Sequence, residues 1–265
     1  MKLQLILYRI RSYSRYIRKS RHRKGYGIHS PFVFYVVREL LYEFNPYYAF
    51  KQIDAARRAL LKDGRTVNTD TLGESSVNCR KRKKVKDLFR EGSLPVKYGK
   101  FLFRLINYFE ARSILELGTG IGFGTLFLAL PDSRSSVTTI EGNRDISGIA
   151  KGVFEMVGIT NVKVVNGHFK ELLPGILEDR DRLDFVFIDG DHCKESTLQY
   201  FEMCLPKACN NSVFVFDDIH WSPGMEEAWQ TIVDHPSVTV SLDLYRIGVV
   251  FFRKECQKQY YRVWY

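Results

Sequence analysis

Three short segments hold residues whose types and spacing could do chemistry. The apolar stretch Ile114-Leu115-Glu116-Leu117 runs into Gly118-Thr119-Gly120-Ile121-Gly122-Phe123-Gly124 and then into the helix-like Thr125–Leu130. Glycines between a strand and a helix let the backbone approach a ligand closely at a helix N-terminus. Glu141 follows Gly120 by 21 residues, at the end of the next apolar stretch, where a carboxylate suits a bidentate contact to ribose hydroxyls. The second segment, Asp189-Gly190-Asp191-His192, and the third, Asp217-Asp218, each close a later apolar run. They supply carboxylates and an imidazole, the usual means of holding a cation or moving a proton.

The glycine loop discriminates between two ligands. A dinucleotide fingerprint reads G-x-G-x-x-G, and that frame would need glycine at Phe123. Glu116, two residues before Gly118, would sit badly beside a pyrophosphate, yet it suits the cationic amino-acid end of S-adenosylmethionine (SAM). Glu116, Gly118, Thr119, Gly120, Gly122 and Glu141 are therefore the expected cofactor residues, against the plainer reading in which the glycines serve only a tight turn.

Methyl transfer from a sulfonium is an in-line displacement, which is mostly a positioning problem. A hydroxyl acceptor must also lose its proton, to a base or with the help of a metal. Asp189, Asp217 and Asp218 at one sheet edge would repel one another unless a cation lay among them, and Mg²⁺ or Mn²⁺ accepts such oxygen donors. The plainer reading has Asp217-Asp218 capping the next helix and Asp189 serving only the cofactor region. His192 is the expected general base, with Lys194 as the alternative and a loop hydrogen bond as the bland one. His220 and Trp221 are expected to line the acceptor pocket, unless Trp221 is core.

The elements that must position these residues follow a clear rhythm. Ser113–Leu117, Ser136–Ile140, Val162–Asn166, Leu183–Asp189 and Val213–Asp217 are short apolar strands separated by helix-length segments. That alternation implies βαβ units and a largely parallel sheet, with the ligand outside the carboxyl ends of the strands. Val238–Leu242 and Tyr245–Phe252 are two residues apart and predict a closing hairpin. The fold class is therefore α/β: a Rossmann-like sheet of seven strands, mostly parallel with an antiparallel last strand.

Residues 1–92 predict a basic helical appendage, and 93–265 the SAM-binding domain. In the appendage Leu3, Ile6, Leu7, Ile10, Tyr13 and Ile17 recur at helical spacing, with Arg11, Arg15, Arg18 and Lys19 largely off that stripe. The helix over residues 3–24 should end at Gly25 and Gly27. Ser30-Pro31 reads as an N-cap and first position opening a helix to about Phe44. Further helices are predicted over Phe50–Lys62 and Val96–Phe109, with a polar linker over about 63–84 that ends in Arg80-Lys81-Arg82-Lys83-Lys84.

Residues from about Ser93 to Lys254 resemble the class I SAM-dependent methyltransferases, nearest to the catechol-type and macrolide-sugar O-methyltransferase branches. The resemblance is carried by Tyr98-Gly99-Lys100-Phe101-Leu102, Glu116-Leu117-Gly118-Thr119-Gly120, Phe187-Ile188-Asp189-Gly190-Asp191-His192 and Val215-Phe216-Asp217-Asp218. It implies that Asp189, Asp217 and Asp218 stand at the three magnesium-ligand positions of the catechol-type branch, the third of which is usually asparagine. His192 falls where that branch places a catalytic lysine. His168, after Asn166-Gly167, stands where relatives often carry an aspartate near the adenine; Asn166, His168 or a backbone carbonyl then takes that role, with Gly167 and Asp189 completing the cofactor side. Gly25-Tyr26-Gly27-Ile28-His29-Ser30-Pro31-Phe32 is similar to an N-terminal signature of bacterial relatives of unassigned substrate.

Composition bounds the alternatives. Hydrophobic residues at 45% suffice for an ordinary core, and no apolar run approaches the roughly 18 residues of a membrane span. The apolar start precedes its arginines, the reverse of a signal peptide. Five cysteines without paired metal spacing fit reduced thiols, so a cytoplasmic location is expected, with peripheral membrane contact open. Residues 1–100 hold 24 lysines and arginines against 8 acids; the remaining 165 hold 16 against 22. That basic half can be read as a nucleic-acid arm, as a membrane-surface helix over residues 3–24, or as a solvated cap. No Asn/Asp-Pro-Pro-aromatic motif follows the fourth strand, which favours oxygen over an exocyclic nitrogen. The leading expectation is a metal-assisted O-methyltransferase acting on a small-molecule or saccharide hydroxyl. The alternatives are an RNA methyltransferase and a non-catalytic cofactor-binding protein.

Overall fold

The computed structural model describes residues 2–69 and 82–265. Cys79, Arg80, Lys81 and most of the predicted linker lie outside the described residues. The chain forms two compact units, Met1–Phe44 with Arg182–Tyr265, and Asn45–Asp181.

The first unit begins with α1 (Lys2–Lys19), shorter than expected because the chain leaves the helix at Ser20, before a 3₁₀ turn at Arg23–Gly25. The expected cap forms next: Ser30 Oγ accepts from Val33 N and Pro31 opens α2 (Pro31–Tyr35), which continues as a π-turn over Val36–Leu41.

In the unit Asn45–Asp181, α3 (Tyr48–Lys62) precedes an antiparallel ribbon of β1 (Thr66–Asn68) and β2 (Arg82–Lys84), then α4 (Val85–Gly92) and α5 (Val96–Tyr108). The alternation follows as β3 (Ser113–Leu117), α6 (Phe123–Ala129), β4 (Ser136–Glu141), α7 (Arg144–Val157), β5 (Val162–Asn166) and α8 (Phe169–Glu178). Strands β3, β4 and β5 are parallel, and their register sets Leu117 beside Ile140 and Glu141 beside Asn166. Helix α7 starts where Asn143 accepts from the backbone of Asp145 and Ile146, and stops at left-handed Gly158. Phe50, Phe103, Phe123, Phe127 and Phe154 lie in its buried core.

The first unit resumes with β6 (Leu183–Ile188), α9 (Lys194–Cys204), β7 (Ala208–Phe216), α10 (Pro223–Asp234), β8 (Val240–Asp243), β9 (Gly248–Phe251) and β10 (Gln259–Arg262). Strand β6 is buried along its whole length, as the apolar run Phe185–Ile188 in a covered parallel sheet requires, with Asp184 paired to Arg182 at its start. Strands β6 and β7 are parallel, and β9 is antiparallel to both β7 and β8, which is the predicted hairpin. Beyond the expected seven strands the described residues hold the ribbon of β1 and β2 and one further strand, β10. Strand β10 pairs parallel with β8 through Tyr260 and Tyr261, in a polar C-terminal segment with no apolar run to announce it.

Candidate active site

The cofactor loop lies wholly in the unit Asn45–Asp181. Gly118 and Thr119 both donate their N–H to the carbonyl of Ile140, turning the chain back over β4. Gly120 and Gly122 take positive φ, 51° and 83°. A Cβ at Gly120 would meet nothing within 4 Å, whereas one at Gly122 would press on Phe154 and Ala150 at 2.8–2.9 Å. Gly120 therefore faces open space, and Gly122 serves the packing of α6 on α7.

Glu141 spans this turn. Its Oε2 accepts from Gly120 N at 2.9 Å and its Oε1 from Asn143 N at 3.0 Å. A carboxylate offers about four lone-pair sites, so acceptor capacity for two ribose hydroxyls remains. Burial raises the Glu141 carboxyl, and the backbone N–H groups around it oppose that rise. Gly167 donates to the Glu141 carbonyl, and Asn166 Nδ2 binds the same oxygen at 3.1 Å, which ties the end of β5 to the loop. His168 precedes α8 and is exposed.

Glu116 is buried at the end of β3, where its carboxyl is hydrogen-bonded by two threonines. It is 1% exposed, and its Oε2 accepts from Thr125 and Thr139 Oγ1, both at 2.6 Å. Thr119 Oγ1 joins Thr139 Oγ1 at 2.6 Å. Burial pushes the Glu116 carboxyl up to about 7 against these two hydrogen bonds. It holds the loop from beneath.

The acids and imidazole lie in the other unit. Asp189 follows β6, and His192 Nε2 stands 3.7 Å from its Oδ1. Asp217 and Asp218 follow β7. Asp191, His192 and Asp218 all adopt positive φ, a concentration of strained non-glycine backbone in two adjoining loops. The charge among the acids is met by Arg246, in the β8–β9 hairpin: its Nε and Nη2 bind Asp217 Oδ1 and Oδ2 at 3.1 and 2.8 Å, and Nε is 3.8 Å from Asp218. Burial raises the Asp189 carboxyl, and Asp217 and Asp218 add to that rise. Burial works against the charge of Arg246, but the three aspartates outweigh it.

The expected divalent cation does not fit this arrangement. Asp217 is buried and gives both oxygens to a bidentate guanidinium, the favoured geometry for that pair. Among the described residues no group of three acid, histidine or cysteine side chains could hold a metal ion. The repulsion that called for a cation is real; a side chain answers it.

Of the pocket candidates, Trp221 is 43% exposed rather than core, with its ring centroid 6.4 Å from that of His192. His220 is buried instead: its Nε2 lies 3.0 Å from Asp243 Oδ2, and its ring stacks on Tyr245. Lys194 is committed to Glu227 at 2.7 Å. Sequence reasoning missed Arg246 and Asp243. An arginine beside a two-residue turn looks solvated, and only the unexplained repulsion of the three acids pointed to a partner for them.

The fold is that of the class I methyltransferases. The O-methyltransferase of Bacillus cereus, solved in complex with S-adenosylhomocysteine, matches with a TM-score of 0.57 at 21% identity, over 83% of this chain and 96% of that one. The O-methyltransferase TomG of Streptomyces achromogenes, solved with SAM, matches at 0.56 and 19% identity, over 79% and 91%. The chain belongs to the O-methyltransferase family, whose model matches residues 72–240. It is 34% identical over 125 residues to a catechol O-methyltransferase of Mycobacterium tuberculosis and 30% identical to one of Niastella koreensis. Each match covers 46% of this chain and 54% or 55% of the relative, so the chain spans about half the length of these curated relatives.

Proposed function

We propose that this chain transfers the methyl group of SAM to a hydroxyl oxygen of a small-molecule or saccharide acceptor. The observation that carries the cofactor half is Glu141, bridged to Gly120 N with acceptor capacity to spare beside a glycine whose Cβ direction is open. When bound, SAM supplies an electrophilic methyl on a sulfonium, which the acceptor oxygen takes as the sulfur–carbon bond breaks. The chain's own work is to hold the ribose at Glu141, to shape the loop around Gly120, and to accept the hydroxyl proton at His192, whose Nε2 stands 3.7 Å from Asp189 Oδ1.

No step runs through a divalent cation. Arg246 neutralises Asp217 and Asp218 through Nε and Nη2, and Nη1 is the donor assigned here to an acceptor oxygen. The test is transfer of labelled methyl from SAM to a panel of phenols, catechols and sugars, with and without a strong chelator. Turnover should survive chelation, while His192→Gln and Arg246→Met should each lower kcat by about a hundredfold. Transfer to RNA alone, or SAM binding without transfer to any hydroxyl, would overturn the reading. Loss of turnover on chelation, restored by Mg²⁺, would overturn its metal-free form.

A further inference from the structure

The face that α1 turns to solvent is its apolar one. Ile6, Ile10, Tyr13 and Ile17 recur at steps of four, three and four, which is one stripe of an α-helix, and they are 52, 61, 47 and 43% exposed. Leu7 beside them is exposed as well. The packed face is the more polar one. Ser12 and Tyr16 are buried, Tyr8 and Arg15 bind Glu226 of α10, and Arg9 lies over the Trp221 ring at 3.3 Å. Tyr16 also donates to the Val263 carbonyl. A surface helix of a globular unit ordinarily buries the opposite face. A contiguous apolar stripe left outward marks a surface that something covers.

Charge says what covers it. Arg11 and Arg18, two turns apart and both exposed, line one flank of the stripe, and exposed Arg21, Arg23 and Lys24 follow it. No acidic residue occurs before Glu39. Three of the four stripe residues are aliphatic and offer a nucleic acid nothing to stack on, and the fourth, Tyr13, already sets its ring edge-on to Tyr245 at 4.9 Å. Two copies joined through this stripe would bring their arginines together with no acid on either helix to pair with them. Among the described residues no helix is long and apolar enough to cross a membrane, so the helix would lie in the surface plane.

We propose that α1 docks the protein on anionic phospholipid surfaces, with Ile6, Ile10, Tyr13 and Ile17 among the acyl chains and Arg11 and Arg18 at the phosphates. The inference stands apart from the reaction at the site. Co-sedimentation of the full chain with phosphatidylcholine vesicles, with and without phosphatidylserine, tests it. Binding should require phosphatidylserine and weaken as salt rises. Ile10→Gln with Ile17→Gln should lower the partition coefficient roughly tenfold, and Arg11→Gln about fivefold, each without a change in melting temperature because these side chains are already solvated. Absence of binding to phosphatidylserine vesicles would overturn the proposal. So would a lower melting temperature for the isoleucine variant, or a dimer in sedimentation velocity that this variant dissolves. Salt-dependent RNA binding in place of vesicle binding would overturn it too.

Discussion

Glu116 is a carboxyl in a place that disfavours its charge. Burial lifts it to about 7, well above the ordinary 4.5, while Thr125 and Thr139 hold it back only in part. The folded protein thus keeps a proton that the unfolded chain releases, so stability falls as pH rises from 4.5 to 7 and then levels off. The drop attributable to this group is about 3 kcal/mol. Thermal melts across that interval should show it, and Glu116→Gln, which carries no charge to desolvate, should flatten the profile; an unchanged slope would mean the carboxylate is ionised in place. The loop glycines separate two roles at the same scale. Gly120→Ala should weaken S-adenosylhomocysteine binding with a melting change of only about 1 kcal/mol, because its Cβ meets no protein atom. Gly122→Ala should cost more stability, about 2 kcal/mol, through Phe154 and Ala150. Calorimetry and melting of the two variants distinguish them.

Among the elements, the β8–β9 hairpin and β10 do the work that the sequence pattern did not announce. Asp243, at the end of β8, accepts from His220, Tyr260 and Arg262 side chains and from Tyr245 N. Burial would raise its carboxyl, but His220 and then Arg262 outweigh that and pull it down to about 2. Its contribution is therefore present above the unfolded value of 3.8 and is lost as pH falls through 2, a term of about 2 kcal/mol. Asp243→Asn should remove that acid-side loss while lowering stability at neutral pH, since it leaves Arg262 and His220 without their anion. Denaturant titrations at pH 7 and pH 3 check both signs. The same hairpin delivers Arg246 to the acids after β6 and β7. Helix α1, anchored by Tyr8, Arg9, Arg15 and Tyr16, braces the loop that carries Trp221.

At the scale of the whole molecule, a ligand that binds only the folded state stabilises by mass action. S-adenosylhomocysteine at about a hundred times its Kd should add about 3 kcal/mol, read as a rise in melting temperature. Glu141→Ala should abolish that rise, and should lower the unliganded melt as well because Gly120 N and Asn143 N lose their acceptor. A rise that persists in the variant would move cofactor recognition away from Glu141.

The order of strands and helices, the glycine loop and Glu141 were legible in the sequence because local rules decide them: a strand alternates with a helix, and a glycine stands where a turn needs positive φ. The three aspartates were legible for the same reason, as residues that close apolar strands. What lies opposite them was not. Arg246 is 28 residues from Asp218 and meets it only because β9 runs antiparallel beside β7. Glu116 was legible as the acid that precedes the glycine loop, whereas the direction of its side chain, toward Thr125 and Thr139, is a packing outcome. The amphipathic pattern of α1 was plain from spacing alone. Which of its faces packs could not be, because periodicity is the same whether the stripe faces a core or the solvent; only the tertiary contacts of Tyr8, Ser12 and Tyr16 decide that.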